Sequence, residues 1–488
     1  DMLRFSYSNE IGSTAAAPSG MISRLRRIFP NAKQTSTASL NHAGETDAAA
    51  FAELASGIRN MIDSGEINES LNSLYSHFSG SESYFSRLDM LDKMFFNDNS
   101  PAALGSETAM RLYGRQLMGT ATRLETFNQC PFRYLIQFGM RLKERPQRTE
   151  KANDRGSFIH EAFDKLIKEY LNSNCDFATI SAADIHEKLE RILPPMMIEH
   201  NNGILLDSAR MRAEFQRIAE LVETAALAVV KQINAGKFRP FASEVNFGHD
   251  NDAYPPLRIQ AENGVTYSIT GIADRVDKYV SPSNEEFIRI IDYKTYGQTF
   301  DYTELANGLR IQLPLYASAM QNAMRKETNN PLFTAGMYYL HIGDAQASEG
   351  INEDKAETEI QRSFRMNGLT LNNENILEAM DSAFPGSSDV LYGVRYSKKE
   401  GMFKGSLADE DEMEETLEFA KKIAGKTLRA IMRGRIEVSP TEYHGKTACK
   451  YCPYISICCF DTTAGCRYRR PRAVDADKFF GRENKGKN

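Results

Sequence analysis

Two segments of this sequence hold acidic and basic residues at spacings that suit chemistry on phosphate. The first is Gly271-Ile-Ala-Asp-Arg-Val-Asp277, and the second is Ile290-Ile-Asp-Tyr-Lys294. Hydrolysis of a phosphodiester bond needs hard cations held by carboxylates and a positive group near the charge that develops on the phosphate oxygens. Asp274 and Asp292 offer the carboxylates. Because strand side chains alternate between two sides, Lys294 lies on the same side as Asp292 and faces the same phosphate.

An acidic residue two positions before a lysine carries little information by itself. Glu353-Asp-Lys355 and Glu483-Asn-Lys485 have the same spacing without supporting context. Only Asp292 follows an apolar run, Phe287-Ile-Arg-Ile-Ile291, of the kind that forms a buried strand. Context therefore favours Asp292 over the other two matches as a functional residue.

Two further motifs flank these segments. Gly156-Ser-Phe-Ile-His160 precedes them, and Gln312-Leu-Pro-Leu-Tyr316 follows them. In this order the motifs resemble the RecB-like branch of the PD-(D/E)xK nucleases. The resemblance implies that a metal ion, which we expect to be Mg²⁺, is held by His160, Asp274, Asp292 and the Tyr293 carbonyl.

The same resemblance implies roles for the other motif residues. Lys294 would orient or activate the attacking water. Gln312 and Tyr316, four positions apart on one helix face, would contact DNA or brace the site. The ordinary alternatives are a hydrogen-bonded helix residue for His160, a helix-surface residue for Gln312 and a core residue for Tyr316.

Two more acidic residues, Glu244 and Asp277, lie near these motifs. Glu244, within Ala242-Ser-Glu-Val-Asn-Phe247, lies where many such sheets carry an extra acidic residue. Asp277 can pair with Arg275 or Lys278 instead of a metal ion. We therefore leave both residues outside the predicted site.

Three cysteines near the C-terminus, Cys449, Cys452 and Cys458, need a fourth ligand to complete a metal site, and Cys130 is the best candidate. The set resembles the iron–sulfur staple of the AddB subunits of bacterial AddAB helicase–nucleases. That resemblance implies a [4Fe–4S] cluster bound by the four thiolates. A structural zinc ion is one alternative, since four thiolates also form a tetrahedral site, and thiols without a metal are the other.

Sequence periodicity predicts the elements that position these residues. The segment before residue 116 is predicted to be mostly helical. The segment after it is predicted to contain helices and also strands that are rich in β-branched and aromatic residues. The helices that we expect first are Met21–Phe29, Ala48–Ile62, Glu69–Phe78 and Thr108–Leu117. The later helices are Thr122–Gln129, Phe158–Leu171, Met211–Ile233 and Thr303–Arg325, and the strands are Val265–Ile272, Phe287–Tyr293 and Ala335–His341.

This order of elements predicts an α/β fold with a mixed central sheet flanked by helices, in which Asp274 and Asp292 lie at or near strand ends. By resemblance the sheet belongs to a PD-(D/E)xK nuclease core that the [4Fe–4S] cluster closes. We expect residues 1–115 to be the mostly helical end of a helicase-like domain and residues 116–488 to be the nuclease domain. A chain that starts at Asp1 inside such a region is expected to be the C-terminal part of a longer protein.

Composition limits the remaining possibilities. No apolar run approaches the roughly 18 residues that a membrane span needs, so we expect a cytoplasmic protein without a membrane partner. The net charge of -6 argues against uniform coating of nucleic acid but allows a local basic track, such as Arg467–Arg472. Seven cysteines, an odd number, fit a reducing compartment better than a disulfide framework. Three of them have no predicted role: Cys175, Cys459 and Cys466.

The AddB resemblance covers residues 121–470 and implies a Mg²⁺-dependent exonuclease subunit of an ATP-driven helicase–nuclease that resects double-strand DNA ends for repair. Its partners would be an AddA-type helicase–nuclease subunit, DNA ends and single-stranded DNA. Gly425-Lys-Thr427 and Gly445-Lys-Thr447 imitate the end of a phosphate loop but lack its upstream glycine, so we expect no ATP site. The alternatives are a free-standing RecB-like or Cas4-like iron–sulfur nuclease and a non-catalytic DNA-binding module.

Overall fold

The structure is a computed structural model that describes residues 5–8, 10–11, 14–15, 17–34, 46–65, 69–96, 103–145, 152–173, 175–261, 264–343 and 353–482. The chain divides into two compact units, residues 1–98 and residues 99–488. This division lies upstream of residue 115, where the sequence placed a domain boundary. The assignment of the first residues to a helicase-like domain stays a prediction.

The described residues of the first unit form four helices and a short antiparallel pair of strands. Its core contains Leu54, Phe78 and Leu88, with the edge of Phe51 against the Phe78 ring. Its elements are β1 (Glu10–Ile11), β2 (Thr14–Ala15), α1 (Gly20–Ile28), α2 (Asp47–Ser64), α3 (Glu69–Ser79) and α4 (Phe85–Phe96).

The second unit opens with helices that precede its central sheet. Side chains from the preceding residue cap two of the long helices, since Ser181 and Ser208 accept hydrogen bonds from backbone N–H groups of the first turn. These elements are α5 (Ser106–Tyr113), β3 (Gln116–Gly119), α6 (Ala121–Gln129), α7 (Pro131–Tyr134), α8 (Ala152–Asn172), α9 (Ala182–Glu199) and α10 (Ala209–Ala235).

The middle of the unit supplies most of the strands. The third of the long strands, Glu286–Lys294, is buried along nearly its whole length, as its apolar run predicts. The elements are β4 (Arg239–Phe247), β5 (Leu257–Gln260), β6 (Thr266–Ile269), β7 (Gly271–Val280), β8 (Glu286–Lys294), α11 (Tyr302–Ala306), α12 (Gln312–Met324) and β9 (Leu332–His341).

The last part of the unit adds two strands to the sheet and a long helix that begins with a capping box at Asp409. The elements are α13 (Glu353–Ser363), β10 (Asn367–Leu371), α14 (Glu374–Met380), β11 (Arg395–Ser397), β12 (Met402–Lys404), β13 (Leu407–Ala408), α15 (Glu410–Met432), β14 (Glu442–Tyr443), β15 (Lys446–Thr447), α16 (Ile455–Cys458) and α17 (Ala476–Phe479).

The central sheet has six strands in the order β13-β10-β9-β8-β7-β4. Strands β8 and β9 pair in parallel, as do β10 and β13, while the other neighbours are antiparallel. Helix α8 packs on β4, and α12 packs on β8 and β9. The predicted mixed sheet with flanking helices is therefore confirmed, and a smaller sheet, β3-β6-β5, lies in the same unit.

Element boundaries differ from the predicted ones where a turn interrupts an apolar run. The predicted strand Val265–Ile272 is two strands, β6 in the small sheet and β7 in the central sheet. The predicted helix Thr303–Arg325 is also two helices, because Gly308 between α11 and α12 has a φ of 70°, which a right-handed helix cannot contain. Residues 116–117 belong to β3 rather than to a helix.

Two structural features concern membrane spans and phosphate loops, neither of which the sequence predicts. Within the described ranges, no helix combines the length and apolar character needed to cross a bilayer. Gly425 and Thr427 lie inside α15 and are part of its buried face, while Lys446 and Thr447 form the short strand β15. Neither glycine-lysine-threonine segment therefore has the strand-loop-helix form of a phosphate loop.

Candidate active site

The two predicted metal-binding carboxylates lie on neighbouring strands. Asp274 is on β7 and Asp292 is on β8, one position beyond the pair formed by Arg275 and Ile291. Both side chains are almost completely buried, with exposed fractions of 8% and 4%. The antiparallel register thus brings two acidic groups together inside the domain, although they are distant in sequence.

Asp274 is held by groups from two elements. The backbone N–H of Tyr293 donates to its Oδ2 at 2.7 Å, and His160 Nδ1 lies 3.3 Å from the same oxygen. His160 comes from α8, and its ring meets the edge of the Tyr293 ring at a centroid distance of 5.7 Å. Helix α8 therefore delivers its histidine to the end of the strand that carries the second carboxylate.

Asp292 is held from the other side. The ammonium group of Lys294 contacts its Oδ2, and Gln312 Nε2 donates to its Oδ1 at 3.1 Å. Gln312 is the first residue of α12. The structure therefore brings these three predicted residues together, and His160, Asp274 and Tyr293 adjoin them at the same strand end.

Burial and charge control protonation in this group. Burial raises the pKa of Asp292 to about 6, the negative charge of Asp274 adds to the rise, and Lys294 opposes it. Burial would lower the pKa of Lys294, but Asp292 outweighs this effect and holds it above the usual value. The pKa of His160 is raised in the same way, because its contact with Asp274 outweighs burial. Lys294 therefore keeps its proton at neutral pH.

The donor set fits a hard divalent cation. Carboxylate and carbonyl oxygens are the ligands that Mg²⁺ and Mn²⁺ prefer, and an imidazole is compatible with Mn²⁺. Two adjacent buried carboxylates repel each other, which contributes to the raised pKa of Asp292, and a cation would relieve that repulsion. Among the described residues, no three His, Cys, Asp or Glu side chains already form a metal-binding group. The carboxylates are instead engaged by Lys294, Gln312, His160 and Tyr293.

Tyr316, the other residue of the glutamine-and-tyrosine motif, lies deeper. Its side chain is buried, and burial raises its pKa. Its hydroxyl lies beneath Gly271, where a Cβ atom would stand 2.4 Å from that oxygen, and its ring meets Phe247 edge to face at 5.1 Å. In this structure Tyr316 is thus a packing residue one helical turn below Gln312.

Glu244 lies at a distorted point of β4, with a φ of 43°. Burial raises its pKa, and the negative charges of Asp164 and Asp274 contribute to the rise. Glu244 therefore interacts electrostatically with the site, although it makes no described contact with the predicted ligands.

A network of buried charged residues lies behind the site, and the sequence predicted only part of it. Asp277 contacts Arg275 Nε at 2.9 Å and also Arg289 Nη2 at 2.8 Å, and all three side chains are inaccessible to water. Arg275 also donates to the hydroxyl of Tyr293 at 3.5 Å. The pairing of Asp277 with Arg275 matches the structural alternative for this residue. The sequence feature that could have identified Arg289 as a buried, paired residue is its position inside the apolar run of β8.

The four predicted cluster cysteines surround one small pocket. Its apolar lining includes Val438, Tyr454 and Phe460, and its sulfur-bearing lining is Cys130, Cys449, Cys452 and Cys458. Burial raises the pKa of Cys130, and backbone N–H groups of Arg133, Ser439 and Phe132 oppose the rise. The pocket thus offers four thiols and nearby N–H donors, a donor set that fits an iron–sulfur cluster.

Backbone hydrogen bonds also tie the two sides of this pocket together. The Thr441 N–H donates to the Gln129 carbonyl at 2.9 Å, and the Phe132 N–H donates to the Glu437 carbonyl at 3.2 Å. The Tyr454 hydroxyl donates to the Leu142 carbonyl at 2.9 Å. The C-terminal segment is therefore docked on the helices around Cys130. The three cysteines without a predicted role are not in the pocket lining: Cys175, Cys459 and Cys466.

Comparison with known proteins places this architecture in a family. The model of the PD-(D/E)XK nuclease superfamily matches residues 120–459, which is well over half of the chain. The matched range includes β7, β8 and α12 as well as all four predicted cluster cysteines.

Curated relatives extend the similarity beyond the nuclease region. A Clostridium tetani protein, named as the B subunit of an ATP-dependent helicase/deoxyribonuclease, is 30% identical over 482 residues, which are 96% of this chain and 41% of the relative. The protein of the same name from Clostridium kluyveri is 29% identical over 479 residues, again 96% and 41% of the two chains. These matches confirm the predicted resemblance, and the chain spans about two fifths of the length of these relatives.

Proposed function

We propose, from the premise that this chain belongs to the PD-(D/E)XK nuclease superfamily, that it is a Mg²⁺-dependent deoxyribonuclease. The observation that carries the proposal is the arrangement around Asp292. Its carboxylate lies beside Asp274 and is contacted by Lys294 on one oxygen and Gln312 on the other. Buried carboxylates that are kept next to a protonated lysine are expected where phosphate chemistry takes place.

Each residue of the arrangement has a defined task. Asp274, Asp292, His160 and the Tyr293 carbonyl would hold the cation, which would neutralise phosphate charge and help a water molecule to lose its proton. Lys294, which keeps its proton, stabilises negative charge on the phosphate oxygens. Gln312 orients the Asp292 carboxylate through its amide N–H. The Tyr293 N–H donates to Asp274 and so holds that carboxylate level with Asp292, the neighbour of Tyr293 on β8.

A digestion assay tests this function directly. The purified chain should shorten an end-labelled single-stranded oligonucleotide when Mg²⁺ is present and should stop when EDTA removes it, because the carboxylates need a cation to act on phosphate. Product lengths on a denaturing gel give the rate. A chain that binds the oligonucleotide but leaves it intact with Mg²⁺ or Mn²⁺ would instead be a DNA-binding module.

The cysteine pocket is proposed to bind a [4Fe–4S] cluster. Support comes from the four thiols that line one pocket and from the docking of the C-terminal segment on the helices around Cys130. The cluster would join the two ends of the nuclease domain across this pocket. A zinc ion bound by the same thiolates is the alternative, and metal analysis distinguishes the two.

The wider role is proposed from the relatives. Their names describe one subunit of an ATP-dependent helicase/deoxyribonuclease, and we propose that this chain acts in such a complex, with an AddA-type partner, at DNA ends that are resected for repair. In that complex the partner would supply the motor that feeds a single strand to Asp274 and Asp292.

This division of labour predicts how ATP affects the chain. By itself the chain should bind no ATP and should digest DNA ends without processivity, because its glycine-lysine-threonine segments do not form phosphate loops. With the AddA-type partner added to the full-length protein, digestion should become ATP-dependent. Equilibrium binding of a fluorescent ATP analogue and phosphate-release assays test both statements, and DNA-stimulated ATP hydrolysis by this chain would contradict them.

A further inference from the structure

Helix α6 presents three polar residues, Thr122, Glu125 and Asn128, at intervals of three along one face. All three contact the segment that leads into α12. Asn128 Nδ2 donates to the Gly308 carbonyl at 2.9 Å, and the other two reach Ile311 and Gln312. The helix ends at Cys130, its C-cap. One short helix therefore runs from the pocket of cysteines to the residue that holds Asp292.

Glu125 is the centre of this contact. It is only 8% exposed, and its Oε1 accepts the backbone N–H groups of Ile311 at 2.7 Å and Gln312 at 2.9 Å. The first N–H groups of a helix have no partner within it, and the isoleucine at the N-cap of α12 has no side chain that can accept them. A carboxylate from a distant helix takes that role, and its negative charge suits the helix N-terminus.

Thr122 acts on the side chain of the same glutamine. Its hydroxyl donates to Gln312 Oε1 at 3.4 Å, while Gln312 Nε2 donates to Asp292 Oδ1 at 3.1 Å. An amide can be turned either way, and only one orientation directs its N–H group at a carboxylate. The Asp292 carboxylate can only accept, so it selects this orientation, and the Thr122 hydroxyl adds a second contact that holds the same amide in place.

We propose that Glu125, assisted by Thr122, is a positioning residue that fixes the backbone of Gln312 and holds its side chain in place, and so sets the geometry of Asp292. This inference rests on the proposed nuclease function. The described hydrogen bonds of Glu125 go to Ile311 and Gln312, not to the predicted cation ligands. The proposed route passes through Gln312, so coupling to Gln312 distinguishes this role from general support of the fold and from the charge interaction of Glu125 with Lys294.

The test is a double-mutant cycle on oligonucleotide digestion at saturating Mg²⁺. We expect Glu125→Ala to lower kcat about tenfold, and the double variant with Gln312→Ala to be no slower than Gln312→Ala alone. Glu125→Gln keeps an oxygen that accepts both N–H groups, so it should stay within about threefold of the wild type. Thr122→Val should lose about threefold while Thr122→Ser retains the rate.

Asp381 provides the matched control. It is buried, and its carboxylate accepts backbone N–H groups of Ala383 and Asp389, but it makes no described contact with the site residues. Asp381→Ala should lower the melting temperature as much as Glu125→Ala while combining multiplicatively with Gln312→Ala in kcat. If Glu125→Ala does not fold, Thr122→Val combined with Gln312→Ala supplies the same cycle.

The outcomes separate this inference from the proposed function. An active chain in which the Glu125 or Thr122 effect multiplies with that of Gln312→Ala would overturn the positioning role alone. Failure of Glu125→Gln to restore the rate of a folded Glu125→Ala variant would also overturn it. A wild-type chain without activity, or a fully active Asp292→Ala variant, would overturn the proposed function instead.

Discussion

Asp292→Ala is expected to abolish DNA cleavage, lowering the rate by roughly a thousandfold or more, while DNA binding persists. The reason is that Asp292 is both a predicted cation ligand and the group that Lys294 and Gln312 converge on. Lys294→Ala should reduce cleavage almost as far, because the phosphate then loses its nearest positive side chain. Gel-resolved digestion measures the rate, and fluorescence anisotropy of a labelled oligonucleotide measures binding.

Strand β8 contains its own control for this prediction. At the other end of the strand, Glu286 pairs with Lys278 at 2.7 Å, and the Glu286 side chain is also buried. Glu286→Ala also breaks a buried carboxylate–lysine pair and should lose stability, roughly 3–5 kcal/mol. Asp292→Ala should lose less, because burial and the charge of Asp274 raise the pKa of Asp292 and so disfavour its ionised form in the fold. Only Asp292→Ala should lose cleavage. Undiminished digestion by folded Asp292→Ala would place the active site elsewhere.

If the proposed cluster is present, Cys130→Ser should lose its iron and loosen the end of the nuclease domain. The thiol lies at the junction of α6 and α7, with the other three cysteines across the pocket. A cross-link between the two ends of a domain closes a very long loop, for which the chain-entropy relation gives a stabilisation of roughly 6 kcal/mol. We therefore expect loss of iron and of visible absorption, a lower melting temperature, and new protease cleavage between residues 121 and 133.

Cys459→Ser is the matched control for this variant. Cys459 follows a predicted ligand directly, yet its side chain is exposed and is not part of the pocket lining. The control should keep its iron, its spectrum and its protease resistance. Full iron content in Cys130→Ser would remove Cys130 from the ligand set. One zinc ion per wild-type chain without visible absorption would identify the site as a zinc site.

The two variants should also differ in what they do to the active site. Loss of the proposed cluster would free the end of α6, and the same helix contacts the backbone of Gln312 through Glu125. Cys130→Ser should therefore reduce cleavage in addition to stability, whereas Asp292→Ala should leave the iron content unchanged. Iron analysis of both variants beside their digestion rates makes this comparison.

The sequence by itself was enough to predict the parts of this protein that depend on short spacing. The alternation of side chains along β8 places Asp292 and Lys294 on one side, and the apolar run before them marks a buried strand. These features are local, since they follow from the few residues that precede and follow each position. The order of helices and strands was enough to predict the mixed sheet, and the order of the motifs was enough to predict the superfamily.

Tertiary structure alone decided which distant groups meet. In the sequence, Glu125 is indistinguishable from an ordinary helix residue. The fold places it beside the first turn of α12, where two N–H groups need an acceptor. Arg289 likewise pairs with Asp277 only because β7 and β8 are neighbours. A buried charge gains its partner from long-range packing, and the desolvation that makes the partner necessary arises only when the chain has folded.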